Sequence, residues 1–204
     1  LAMLIVNLLL YKEVKGKGTE VVESLGKKFT NLFVVLTNFK FMIFLLIYSL
    51  YWIIFWQEFI IVPYYVTDFI DKNYPYELLQ SWAGAGAIIL LQIPINRLTK
   101  NISTPNAILR GFAVSSLIWV IIWIHPSIIT IAAGIIAFAI GEAIQAPRYY
   151  EYISKIAPAG QQGLYQGYAF LPIAIARFIG DPFGGWLYQN SKASGHPEYV
   201  WYSM

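Results

Sequence analysis

The sequence has no cysteine among its 204 residues, which excludes a disulfide framework and any thiolate-bound metal and leaves the redox compartment unread. Histidine is nearly as scarce: with only His125 and His196, a histidine-rich metal site has no ligands to draw on. Charge is thin, at 12% of residues where soluble domains carry about a quarter. The net charge of +3 is small and dispersed, so the chain lacks the basic footprint of a nucleic-acid binder. There is no Gly-rich phosphate loop, no nucleophile beside a base and no metal-ligand spacing, so an enzyme reading has no residues to stand on. The chain opens mid-apolar at Leu1-Ala2-Met3-Leu4 without a basic n-region, which reads as a truncated helix and not as a signal peptide. The segment from Glu198 to Met204 reads as a further apolar element cut short.

What is abundant is apolar side chain, 58% of the total, gathered into long uncharged runs. A helix crossing a bilayer needs roughly 20 predominantly apolar residues, because hydrocarbon cannot satisfy an open backbone. Phe41 to Tyr65 meets that test with one charge, Glu58, and Leu78 to Asn96 meets it with none. Gly111 to Pro147 carries only Glu142 and is divided by His125-Pro126-Ser127, so it reads as two helices joined tightly. Ile156 to about Tyr188 begins with a loop at Ala157 to Gln162 and continues as a helix holding Arg177 and Asp181. These runs predict an all-α integral membrane fold with five full spans, preceded by a helix end over 1–11 and a basic loop over 12–40.

Lysine and arginine alternate between the connections. Lys12 to Lys40 holds six lysines, Tyr64 to Glu77 only Lys72, Arg97 to Arg110 three basic residues, the His125 turn none, Arg148 to Lys155 two, and Gln189 to Tyr199 only Lys192. By the positive-inside rule the Lys-rich loop is cytoplasmic and the first full span runs outward. The short loops point to a multi-pass protein of a bacterial inner cell membrane, with the lipid bilayer as its solvent.

An ionisable residue inside a span is costly enough to count as a functional hypothesis. Glu142, in Gly141-Glu142-Ala143-Ile144-Gln145-Ala146-Pro147, is placed either to take up and release a proton or to bond a neighbouring helix. Glu58 is open to three readings: binding a substrate amine, relaying protons, or reaching the outer interface. Arg177 and Asp181, four apart, share a helix face and read as a structural ion pair in preference to a substrate clamp. The pairs Gly84 and Gly86, Gly163 and Gly167, and Gly180 and Gly184 suggest close helix packing. Pro63, Pro94, Pro147 and Pro172 are expected to kink or end helices. Tyr51, Trp52 and Trp56 suggest an aromatic wall, while Trp82, Trp119, Trp123, Trp186 and Trp201 read mostly as interface anchors.

From Gly141 onward the chain resembles the proton-dependent oligopeptide transporters of the major facilitator superfamily. The matching string is Gly141-Glu142, Pro147, Lys155-Ile156-Ala157-Pro158, Gly163, Gly167 and Phe170-Leu171. The resemblance implies the C-terminal six-helix bundle of a twelve-helix carrier, helices seven to eleven and the start of twelve, working by alternating access. It implies that Glu142 meets the substrate and takes part in proton coupling, with Trp52, Gln57 and Phe170 on the cavity and Glu58 near it. The family's acidic pair in the seventh helix is Phe55-Trp56 here, with Glu58 displaced, and its Asn-Pro in the eighth is Ala85-Gly86. The expected function is proton-coupled symport of small peptides or related solutes. The implied partners are that substrate and the N-terminal six-helix half of the same carrier, with no cofactor beyond the coupling proton and no nucleic acid. A carrier of the same superfamily for a drug, sugar or organic acid, and a non-transporting receptor or scaffold, are the alternatives.

Overall fold

A computed structural model of the chain describes residues 33–204, so the helix end expected at 1–11 and the basic loop up to residue 32 lie outside the described residues. The compact unit Val35–Met204 is all helical, with no strand among the described residues. Helix α1 is Phe39–Tyr65, apolar all round and capped by Asn38, whose Oδ1 accepts from the backbone N–H of Phe41 at 3.2 Å. Pro63 lies inside its last turn, and the helix continues into a π-helical turn, Val66–Ile70. The second span is composite: α2 (Tyr76–Leu79), a π-helical stretch Gln80–Gly86, and α3 (Ala87–Thr99). Helix α4 is Thr104–Ile124 and begins with a proline in its first turn, where a missing N–H costs nothing. After the His125-Pro126-Ser127 turn, α5 (Ile128–Ile156) is opened by a capping box in which Ser127 and Thr130 bond one another's backbone N–H. A short α6 (Gln162–Tyr168), α7 (Leu171–Ala193) and a one-turn α8 (Tyr199–Tyr202) complete the order.

Four of these elements are long and apolar enough to cross a membrane: Phe39–Ile70, Tyr76–Thr99, Thr104–Ile124 and Ile128–Ile156. The expected fifth span is present as a helix, but α7 falls short on hydropathy because Arg177, Asp181, Gln189, Asn190 and Lys192 dilute its apolar residues. Its 23 residues reach about 35 Å at 1.5 Å each, enough for a bilayer by length.

The Arg148 to Lys155 stretch, expected as a connection, is helical, because α5 runs through Pro147 to Ile156. A proline inside a helix frees the carbonyl four residues back. Here that carbonyl, Ala143 O, accepts from Gln92 Nε2 of α3 at 3.2 Å, so a neighbour repairs the bond that Pro147 removes.

The tightest seam joins α4 to α5. A Cβ on Gly141 would lie 2.6 Å from Gly111 O and 2.7 Å from Ser115 Cβ, and one on Gly134 would lie 2.9 Å from Ile118, so the two backbones touch only where side chains are missing. Helix α7 packs along α1 in the same manner, with Gly180 against Ile53 and Gly184 against the Gln57 amide. Gly163 and Gly167 pack against nothing within 4 Å, so the expected glycine contact is absent there. Half of the α5 span is buried, against 28% for α1, which makes α5 the central helix. Trp119 and Trp201, expected as interface anchors, are instead buried and stacked 6.0 Å apart, while Trp82, Trp123 and Trp186 are exposed. Large apolar side chains such as Ile89, Leu90, Leu98, Ile129 and Phe178 point outward, where only lipid or another apolar surface suits them.

Candidate functional site

Toward one end of the bundle, α1, the α2 to π stretch and α5 diverge around a cavity of about 570 Å³. Phe59 and Pro63 line it from α1, Tyr76, Gln80 and Gly84 from the second span, and Phe138 and Glu142 from α5. The charged groups in its lining are Glu77 and Glu142, and no lysine, arginine or histidine is among them. Glu142 is partly buried, and among the described residues its carboxyl has no hydrogen-bond or ion-pair partner. The helix positions it by spacing: Phe138, Ala139 and Glu142 stand three and four apart, so all face the same space.

Glu58 stands behind that wall. It is fully buried, and its Oε1 accepts from the Tyr76 hydroxyl at 3.1 Å, while Gln80 Nε2 lies 3.5 Å from Oε2. Tyr76 and Gln80 both line the cavity, so they separate Glu58 from it by one layer of side chains. Gln80 finds room because Gly84 has no side chain: a Cβ there would stand 3.0 Å from Gln80 Nε2. The Gln80–Gly86 turn is π-helical, a form that recurs at functional sites.

The remaining expected site residues lie elsewhere. Gln57, expected on the cavity, is fully buried in the seam between α1 and α7, where its Nε2 donates to Ile53 O at 2.8 Å and Gly180 O at 3.1 Å. Helical geometry explains the difference, since Gln57 is one residue, about 100°, from Glu58. Trp52 meets Phe55 edge to face and stacks on Trp56 along α1, and it is not in the cavity lining. Phe170 caps the start of α7 and is 61% exposed on the outside of the unit. Arg177 Nε lies 3.2 Å from Asp181 Oδ2, and its guanidinium sits 4.6 Å from the Trp56 ring centre, tying the pair to α1.

Three polar groups that hydropathy does not flag meet one turn along α5 from Glu142. Gln145 is buried; its Oε1 accepts from the Tyr48 hydroxyl and its Nε2 donates to the Tyr51 hydroxyl at 3.3 Å. Tyr51 in turn lies 3.2 Å from Ser115 Oγ. Polar ends bracket the bundle. At one, Glu151 bonds Arg148 at 2.7 Å, Lys155 at 2.5 Å and Thr104 at 3.2 Å. At the other, Asp68 accepts from Lys192 at 2.5 Å and Tyr188 at 2.7 Å. Nearby, Glu198 is held below the usual carboxylate range by its own backbone N–H and by His196.

No family model and no solved structure matches the chain. Among curated proteins it is similar to Multidrug resistance protein MdtH of Salmonella schwarzengrund, Salmonella paratyphi B and Salmonella newport, with 27% identity over 168 residues in each case. That alignment takes in 82% of this chain and 42% of each relative, so the chain spans less than half the length of the curated relatives it matches. What the fold and the apolar spans establish is an all-α, multi-pass membrane protein.

Proposed function

We propose that this chain is part of a secondary active transporter of the major facilitator type, and that Glu142 is the group on which solute and coupling proton meet. The observation that carries the reading is a carboxyl, unpaired among the described residues, on the wall of a 570 Å³ cavity lined otherwise by aromatic, apolar and uncharged polar side chains and a second carboxylate, Glu77, with no basic side chain. Such a lining favours a small organic solute bearing an ammonium or another cationic group, because an aromatic face and a carboxylate both attract positive charge. A second helical bundle, supplied by the rest of the carrier, closes the cavity and allows alternating access. Glu58, sealed behind Tyr76 and Gln80, is the second proton-binding carboxyl.

Two solute classes fit this lining. The name carried by the Salmonella relatives favours a drug-like amine. The Gly141 to Leu171 string favours a short peptide, whose amino terminus is the cation. In this reading the protein sits in the inner cell membrane with the Arg148 and Lys155 end in the cytoplasm, the side that basic residues favour.

The test uses the full-length protein in proteoliposomes under a proton gradient of either sign, with a dipeptide and an aromatic amine as solutes. Gradient-dependent movement of one of them, lost in Glu142→Gln, is the expected result. A folded protein that moves neither solute in either direction overturns the cationic-solute reading and leaves a carrier for a sugar or organic acid, or a receptor or scaffold.

A further inference from the structure

We propose that Gln145 is a positioning residue for Glu142, acting through a hydrogen-bonded junction that locks α5 to α1 and α4; this rests on the reading of Glu142 above. Glu142 has no bond of its own among the described residues, so the direction of its carboxyl is set by the rotation of α5. Gln145 is three residues on and shares its face. Its amide uses both ends: the oxygen accepts from Tyr48 of α1, and the nitrogen donates to Tyr51 of the same helix. Tyr51 passes the connection to α4, through Ser115 Oγ at 3.2 Å and through its ring, which stacks on Phe112 at 3.9 Å and 11°. Ser115 completes the junction by donating to Gly111 O at 2.8 Å.

The same level is where backbone closes on backbone. A Cβ on Gly111 would lie 2.5 Å from Gln145 Cβ and 2.8 Å from Gly141 O. Helix α5 is therefore held from two sides, by glycine contact with α4 and by two phenols of α1. Rotating it moves Gln145 out of reach of both phenols and leaves buried polar groups unpaired, which the interior penalises. The cavity lies on one side of this level and Tyr149 on the other, where the Tyr149 hydroxyl donates to Ala169 O at 2.8 Å. That second bond ties α5 to the turn before α7; the Tyr149 ring also lies 3.9 Å from that of Tyr48, a contact that Tyr149→Phe keeps.

The difference between Gln145 and Tyr149 supplies the test. Full-length protein in liposomes is treated with dicyclohexylcarbodiimide, which adds to a protonated carboxyl in apolar surroundings, and labelling of Glu142 is followed by mass spectrometry across a pH series. Wild type, Gln145→Leu, Tyr51→Phe and Tyr149→Phe are compared. Tyr51→Phe keeps the ring stacked on Phe112 and removes only the hydroxyl, so it stands in if Gln145→Leu does not fold. The expected result is a severalfold change in the Glu142 labelling rate, with a displaced pH profile, in Gln145→Leu and Tyr51→Phe, and the wild-type profile in Tyr149→Phe. Wild-type labelling in both junction variants, or an equal change in Tyr149→Phe, overturns the proposal. The readout does not depend on solute movement, so a protein that transports nothing would defeat the carrier reading while the labelling still decides on Gln145.

Discussion

Glycines in this chain are not equivalent, and their surroundings separate those that hold helices together from those that do not. Gly141 has Gly111 O and Ser115 Cβ within 2.7 Å of where a Cβ would stand, and neither can give way without moving α4. Gly141→Ala is expected to destabilise the protein by about 1–3 kcal/mol through overpacking. Gly167, in α6, has nothing within 4 Å, so Gly167→Ala relieves only backbone freedom and is expected to leave stability unchanged or raised by about 0.5–1 kcal/mol. Thermal unfolding of the two variants in detergent checks both. The sequence separates these sites poorly: Gly163 and Gly167 have the four-residue spacing of a packing motif, while Gly111, Gly134 and Gly141 meet their partners on different helices and form no local pattern. Glu142 and Glu58 were legible because a charge in an apolar run stands out. Gln145, Tyr48 and Tyr51 were not, since uncharged polar and aromatic residues leave hydropathy almost undisturbed.

At the scale of elements, of the prolines expected to kink or end helices Pro63, Pro94 and Pro147 lie inside them, and Pro172 stands in the first turn of α7. Pro147 removes one hydrogen bond from α5, yet the helix continues because Gln92 reaches across from α3 to the freed Ala143 carbonyl. Removing that donor in Gln92→Leu leaves the carbonyl unpaired and is expected to cost about 1–3 kcal/mol. In a Pro147→Ala background residue 147 regains an N–H for Ala143, so Gln92→Leu becomes nearly neutral. A double-mutant cycle read by thermal unfolding shows this as coupling, and additive effects would mean the bond does not carry the helix past Pro147. Helix existence was legible from apolar run length, but the reach of α5 to Ile156 was not, because the compensating residue lies on another span. The polarity of α7 follows the same logic: Arg177 meets both Asp181 and the Trp56 ring, leaving a helix less apolar than its neighbours but paired against α1.

For the whole molecule, the alternation of basic connections predicts an orientation that can be read chemically in a full-length protein whose cysteines outside this cysteine-free chain have been replaced. Asn73 and Ala159 are exposed in the connections before α2 and before α6, at opposite ends of the spans. In intact cells a membrane-impermeant maleimide is expected to modify Asn73→Cys and to spare Ala159→Cys until the membrane is opened. The reverse pattern would invert the topology and place the Glu151 cluster outside.

The α4 to α5 seam also has a consequence for how the protein is made. Two helices joined by the His125-Pro126-Ser127 turn are closed on each other by Ser127 and Thr130 at the turn and by glycine contact farther along, while the Gln145 amide and the Ala143 carbonyl find their partners on α1 and α3. Because that close contact joins sequence neighbours, the two helices are expected to associate as a pair in the membrane, which crosslinking of a cysteine pair placed across the seam in the isolated hairpin would check.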